Sequence, residues 1–354
     1  MKNFIKIQFL LIFAITSCSE KKVNNCLDDF EETKNLKTEE IVLQNIDSES
    51  RNMIMFDSLC VLSSNFDETY LSMYNINSKK TIKWLNKGRG EGEILHFSDM
   101  HKYNDSILYV DAEPKMCLMF NIHDIEKGDY KCLKNVKYSL RPSRNTVLVN
   151  DSTVIYQGEN SSKDCLDNRF CMENIKTNKF VSFGEFPKED EIIFTLPKEN
   201  SVWFITYQGN IRYNKKKKRA VLFYYGAVGF EIMDTQKQKM EVSKFYQYPI
   251  VTITRIECPE FTANRAENVK SSKRGFIDGS CTDTAIYFLY SDKTFEEENK
   301  GMGVYVLKYD WKGNPIKKYI LDTEITSFSL SEDEQYLYGL SSNDESEFVI
   351  KYKL

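Results

Sequence analysis

The chain carries 354 residues, 41% hydrophobic and 13% aromatic, with 48 basic against 52 acidic side chains and a formal charge of −4. A net-negative chain invites neither nucleic acid nor an anionic membrane face. Its length fits either two domains or one large all-β domain, and the pattern of elements decides between them.

The first seventeen residues place Lys2 and Lys6 before an apolar run at 7–15, with the small residues Thr16 and Ser17 before Cys18. This order is that of a secretory signal peptide. The run is shorter than the roughly 20 residues a spanning helix needs, and Glu20, Lys21 and Lys22 follow at once. Ile15-Thr16-Ser17-Cys18 resembles a bacterial lipobox, which implies cleavage before Cys18, lipid on that cysteine, and a mature charge of −6 once Lys2 and Lys6 are gone. Eight further cysteines, none in a CxxC pair, then lie in a compartment that permits disulfides. Cys165 and Cys171 flank a short polar segment that they could close, and buried thiols suit most of the others. Residues 19–37, SEKKVNNCLDDFEETKNLK, are polar and charged, so residues 18–38 read as a lipidated cysteine and a flexible stalk.

From residue 39 to 354 short runs rich in Tyr, Phe, Ile and Val alternate with Asn, Asp, Gly and Lys, the chemistry of strands and turns. A repeat emerges, opening at Asp57, Asp105, Asp151, Asp283 and Asp333, each acid feeding a strand. A second strand follows each, ending near Asn75, Asn121, Asn174, Asp310 and Tyr352. The long gap between Asp151 and Asp283 suits two units, the hidden one running through residues 219–224, 230–234 and 240–245. Six antiparallel units, none able to bury both faces alone, predict an all-β fold, a six-bladed β-propeller. The last unit offers three strands, so residues 40–46, EIVLQNI, are expected to complete it and remove an exposed edge.

Three stretches carry a family resemblance: the glycine-rich run at residues 87–93 (with Glu91 where a proline is usual), residues 275–292, and residues 306–321. The chain resembles the TolB-like six-bladed propeller lipoproteins of Bacteroidota. That resemblance implies a fold and an anchor but no settled activity.

Few motifs carry chemistry. Gly88, Gly90 and Gly92 lack the GxGxxG spacing and no crossover helix follows, so they read as a tight link between blades, with Arg89 and Glu93 placed near the central funnel where they could touch a ligand. His96, His101 and His123 form no closely spaced ligand set for zinc, and His96 and His101 near Asp99 read as surface or structural residues. Asp99, Asp111, Asp278 and Asp283 are abundant acids without an evident constellation, and the acid at each repeat opening is expected to bond its own turn. The run 215–219, KKKKR, reads as a solvated turn rather than a polyanion patch. Trp84, Trp203 and Trp311 suit either a sugar platform or core packing. Residues 189–214, read as an irregular loop on one face of the ring, hold Trp203, Tyr207 and Arg212 and are the preferred place for partner contact.

The leading expectation is a lipid-anchored envelope module, on the outer membrane facing the periplasm or the cell surface, that binds a protein, peptide or glycan and needs no cofactor. The alternative is a propeller hydrolase, lactonase-like or glycan-cleaving, with Ca in the central channel. A third reading makes it a structural part of an envelope complex.

Overall fold

The computed structural model describes residues 25–46, 50–90, 92–113, 116–138, 142–158, 168–186, 200–258, 261–343 and 345–354. Cys18 and Cys165 lie outside these.

Six four-stranded antiparallel meanders surround an axis. Blade 1 contains Ser50–Phe56, Leu59–Ser64, Thr69–Asn75 and Thr81–Asn86, and blade 2 contains His96–Lys102, Ile107–Glu113, Met116–Asn121 and Lys134–Lys137. Blade 3 is Pro142–Asn150, Thr153–Gly158, Phe170–Asn174 and Lys179–Phe183. Gly209–Asn214, Arg219–Tyr224, Val228–Asp234 and Lys239–Gln247 make blade 4. Blade 5 runs Lys273–Cys281, Ile286–Thr294, Gly303–Tyr309 and Pro315–Ile325. In blade 6, Ser327–Leu330, Tyr336–Ser342 and Glu347–Lys353 are completed by the N-terminal strand Thr38–Ile46, as expected, with Ile41 opposite Ile350 and Leu43 opposite Val349.

The turns explain why these runs fold back where they do. Between the third and fourth strands an Asn or Asp accepts backbone N–H groups two to four residues on: Asn75 from Asn77 and Ser78, Asn121 from His123, Asn174 from Lys176 and Thr177, Asp234 from Gln236 and Lys237, Asp310 from Lys312 and Asn314. The acids taken as repeat openings sit instead in the turn between the first and second strands, so each unit begins one strand earlier than its marker. Only some of them bond their own turn: Asp333 accepts from the Gln335 N–H. In blades 2, 3 and 4 the turn is held by Asn104, Asn150 and Asn214, while Asp151 and Asp283 pair with Lys134 and Lys216. A short amide reaches the turn N–H groups while the adjacent carboxylate stays free for a cation.

Alternation along the strands sends one row of side chains into each gap between blades. Phe223, Phe230, Phe276, Phe288 and Tyr309 fill the gap of blades 4 and 5, and Trp84, Phe97, Leu108 and Phe120 that of blades 1 and 2. Trp84 and Trp311 are thus core residues, and the Trp311 indole donates to the Thr282 carbonyl at 3.0 Å. Cys26, Cys60 and Cys117 are buried thiols.

The stalk expectation is corrected over residues 25–37. A short 3-10 helix, Cys26–Asp29, places Cys26, Leu27 and Phe30 in the blade 4–5 core, and Thr33–Leu36 adds a fifth, parallel strand to blade 5 with Thr33 opposite Lys318. Asp29 accepts from the Tyr246 hydroxyl at 2.6 Å and pairs with Lys244 at 2.9 Å. Cys26, Leu27 and Phe30 dock in a groove already built by Phe230 and Tyr309, and Leu36 enters the neighbouring cluster of Tyr287, Tyr319 and Phe328. Residues 189–214 are also corrected: within them Asn200–Thr206 is helical and Gly209–Asn214 is the innermost strand of blade 4. A two-stranded arm, Val251–Cys258 with Phe261–Asn268, inserts between blades 4 and 5. No helix among the described residues is long and apolar enough to cross a membrane.

Candidate functional site: the closed axis

The innermost strands bring polar groups toward the axis, and hydrogen bonds tie them together, blade 3 taking part through its Thr146 N–H. Arg212, on blade 4, reaches across: its Nη1 donates to Asp99 Oδ2 of blade 2 at 2.7 Å, its Nε to the Gly279 carbonyl of blade 5 at 2.9 Å, and its Nη2 lies 3.6 Å from Asp278 Oδ1. The Asn52 amide of blade 1 donates to Asp99 at 3.4 Å. Asp278 accepts from the Ser327 hydroxyl at 2.7 Å and the Phe328 N–H at 3.0 Å, both of blade 6. Ser327 Oγ accepts from the Met53 N–H at 3.1 Å, returning the circuit to blade 1. Blade 3 joins through Asp111, which accepts from the Thr146 N–H at 3.1 Å and the Tyr138 hydroxyl at 3.0 Å.

Asp99, Asp111 and Asp278 are buried, and for Asp111 and Asp278 desolvation is the largest influence on the charge. Burial works against the charge on Arg212, but Asp99 and Asp278 outweigh it and hold the guanidinium pKa above the ordinary arginine value. Burial pushes the Asp278 carboxyl up, against the pull of Arg212, Ser327 and two backbone N–H groups. Asp111, with no cation at hand, is raised by burial to about 7 despite the Thr146 and Tyr138 bonds. His101 stacks on Tyr109 at 4.7 Å with Nδ1 3.7 Å from Asp99; burial lowers its pKa to about 4, so the imidazole is neutral at neutral pH.

The guanidinium rests over the Phe223 ring at 5.7 Å. Gly279 makes that possible, since a Cβ there would sit 2.7 Å from the same ring. A calcium ion on the axis would need Asp99 and Asp278 as ligands. Both carboxylates already face Arg212, whose positive charge stands between them, so this donor set does not fit a divalent cation. Among the described residues no group of three His, Cys, Asp or Glu side chains is placed to hold a metal. Chemically the arrangement is a lock on the ring.

The residues singled out from sequence are scattered. Arg212 belongs to the axis and is not a loop residue. Tyr207 is fully buried against Tyr224 and Phe245, and Trp203 stacks on it at 6.1 Å, half-buried. Glu93 folds back onto its own loop, accepting from the Gly90 N–H at 2.8 Å, and a Cβ at Gly88 would displace that carboxylate. Arg89 is exposed on the same link between blades 1 and 2. Asp99 and Asp278 were legible as acids but not as partners. The signal lay in their register, five or six residues before each turn acid, as in Asn52 before Asp57, Asp99 before Asp105, Thr146 before Asp151 and Asp278 before Asp283.

Six meanders bound around a closed axis define a six-bladed β-propeller. The TolB-like 6-blade propeller-like family model matches residues 29–333, and the chain belongs to that family. The fold is similar to the crystal structure of a member of the DUF4221 family from Bacteroides vulgatus ATCC 8482, at 13% identity and a TM-score of 0.53, covering 90% of this chain and 97% of that one. Likenesses at lower scores are to U3-55K (8% identity, TM-score 0.46, 89% of this chain and 98% of that) and to the RRP9 WD40 repeats (7%, 0.45, 89% and 97%). No curated protein matches the chain.

Proposed function

We propose that the chain is a lipid-anchored envelope protein whose rigid ring binds or scaffolds a protein, peptide or glycan partner, without turnover. The observation that carries the reading is the axis: where a propeller enzyme would present unpaired carboxylates, this ring spends Asp99 and Asp278 on Arg212. What remains for recognition is the outer surface, where loops and inter-blade clefts sit on a scaffold whose blades are bonded to one another.

The anchor in this reading is lipid on Cys18, and docking of residues 25–37 makes the tether short. From Cys18 to the buried Cys26 is eight residue steps, at most ~28 Å even when fully extended. Because Cys26 enters between blades 4 and 5, the lipid attaches beside those blades and not at blade 6. The ring is thereby held close to the bilayer, in an outer membrane with its face to the periplasm or the cell surface.

Mass analysis of the N-terminal peptide from native membranes should find diacyl- or triacyl-modified Cys18, and a pull-down from detergent-solubilised envelope should return a partner. An unmodified N-terminus preceding Cys18 would remove the anchor. An empty pull-down together with hydrolase activity of the purified chain would remove the binding module.

A further inference from the structure

A cleft of about 650 Å3 opens between blades 3 and 4, on the face that carries the first-to-second and third-to-fourth strand turns. Val149 and Met172, buried between the blades, give it an apolar part; Thr153, Thr235, Gln236 and Gln238 add hydroxyls and amides. Lys179, Lys215 and Lys218 line it too, and among the described residues no Asp or Glu does. In a chain of charge −4 that local excess is against the average.

The excess has a sequence origin in the repeat. The first-to-second turn carries an acid in five blades, at Asp57, Asp105, Asp151, Asp283 and Asp333; in blade 4 the same turn is Lys215, Lys216, Lys217 and Lys218. Two cations of this run that point elsewhere are paired: Lys216 with Asp283 at 2.8 Å and Arg219 with Glu241 at 2.6 Å. Those lining the cleft make no salt bridge among the described residues, although the Asp151 carboxylate is near enough to Lys215 to feel its charge. Lys215 rests over the Tyr103 ring at 4.8 Å, which fixes its position. Lys218 and Lys179 make no side-chain ion pair among the described residues.

Clefts of about 300–1,000 Å3 with an apolar wall and a few convergent polar groups are the size and character of small-ligand sites. An apolar patch beside hydroxyls and amides suits a pyranose ring, and three lysines, with Lys179 and Lys218 in no ion pair among the described residues, suit a negative charge on it. We propose that this inter-blade cleft is a binding site for an acidic saccharide, a hexose carrying a carboxylate or a phosphate. The proposal rests on the reading of the ring as a binding module and specifies the glycan it takes.

The test is titration calorimetry of the purified chain at low salt with galacturonate, glucose 6-phosphate, galactose and inorganic phosphate. At least one acidic sugar binds, galactose and inorganic phosphate bind about tenfold more weakly or worse, and the double variant Lys179→Gln/Lys218→Gln weakens the acidic sugar about tenfold. Both lysines are exposed, so the variant keeps the native melting temperature, and Lys217→Gln, outside the lining, leaves binding unchanged. Failure of both acidic sugars to bind, or undiminished binding by the double variant, overturns the site; inorganic phosphate binding as tightly as the sugars overturns its assignment to a saccharide. Partner capture in the envelope pull-down by that same variant separates failure of this site from failure of the binding-module reading.

Discussion

At the scale of single residues, Arg212 is the point on which the ring depends most. Removing one partner of a buried pair leaves the other charge unpaired, at a cost of about 3–5 kcal/mol. Arg212→Met is therefore expected to lower unfolding free energy in urea by that amount, because Asp99 and Asp278 are left facing each other. Adding Asp99→Asn to it should recover part of the loss, and a double-variant loss equal to the sum of the losses in Arg212→Met and Asp99→Asn alone would show that the pair is not coupled. Asp111 gives a pH signature with a definite sign. Its folded pKa of about 7 lies above the ordinary 3.8, so the folded state keeps a proton that the unfolded chain has released, and this contribution to stability is lost as pH rises through that window. His101 acts oppositely: its folded pKa of about 4 lies below 6.5, so its contribution rises with pH between those values. In Asp111→Asn the amide keeps the Thr146 N–H bond and donates to the Tyr138 hydroxyl, leaving only the His101 rise. The stability of the variant relative to the native chain should grow from pH 4 to pH 7 in denaturant titrations, and a constant difference would contradict the buried, proton-holding carboxyl.

At the scale of elements, the N-terminal segment shows what composition conceals. Residues 19–37 average to a polar linker, yet Leu27, Phe30 and Leu36 each find a prepared site, and Phe30 meets Tyr309 edge-on at 5.1 Å. Truncating a docked ring of this kind costs about 3–5 kcal/mol. Phe30→Ala should lower the melting temperature accordingly, checked by calorimetry; an unchanged temperature would restore the stalk. The closing strand was legible for the opposite reason: residues 40–46 carry the apolar side chains Ile41, Val42, Leu43 and Ile46 and blade 6 visibly lacked a strand. The repeat markers were legible one strand out of frame, because turn acids are conspicuous whereas the inner strands carry polar side chains and do not look like core. That disguise also hid the axis, since Asn52, Asp99, Arg212 and Asp278 lie in stretches of mixed polarity that do not read as core. The hairpin Val251–Cys258 with Phe261–Asn268 was missed because it has no counterpart in the other five units.

At the scale of the whole molecule, the ring is closed twice. Hydrogen bonds near the axis link blade 1 to 2, 2 to 3, 4 to 5, 5 to 6 and 6 to 1, Arg212 of blade 4 reaches across to Asp99 of blade 2, and the Thr38–Ile46 strand seals blade 6 at the rim. A scaffold closed this way changes shape little, and recognition is left to its surface. The most direct test of that account is the melting temperature of the purified chain measured in EDTA and in millimolar calcium, since a ligand bound only by the folded state raises it. An axis held by Arg212 predicts the same temperature in both. A clear rise with calcium, lost on substituting Asp99 or Asp278, would show that the axis is a cation site and would contradict the closed ring.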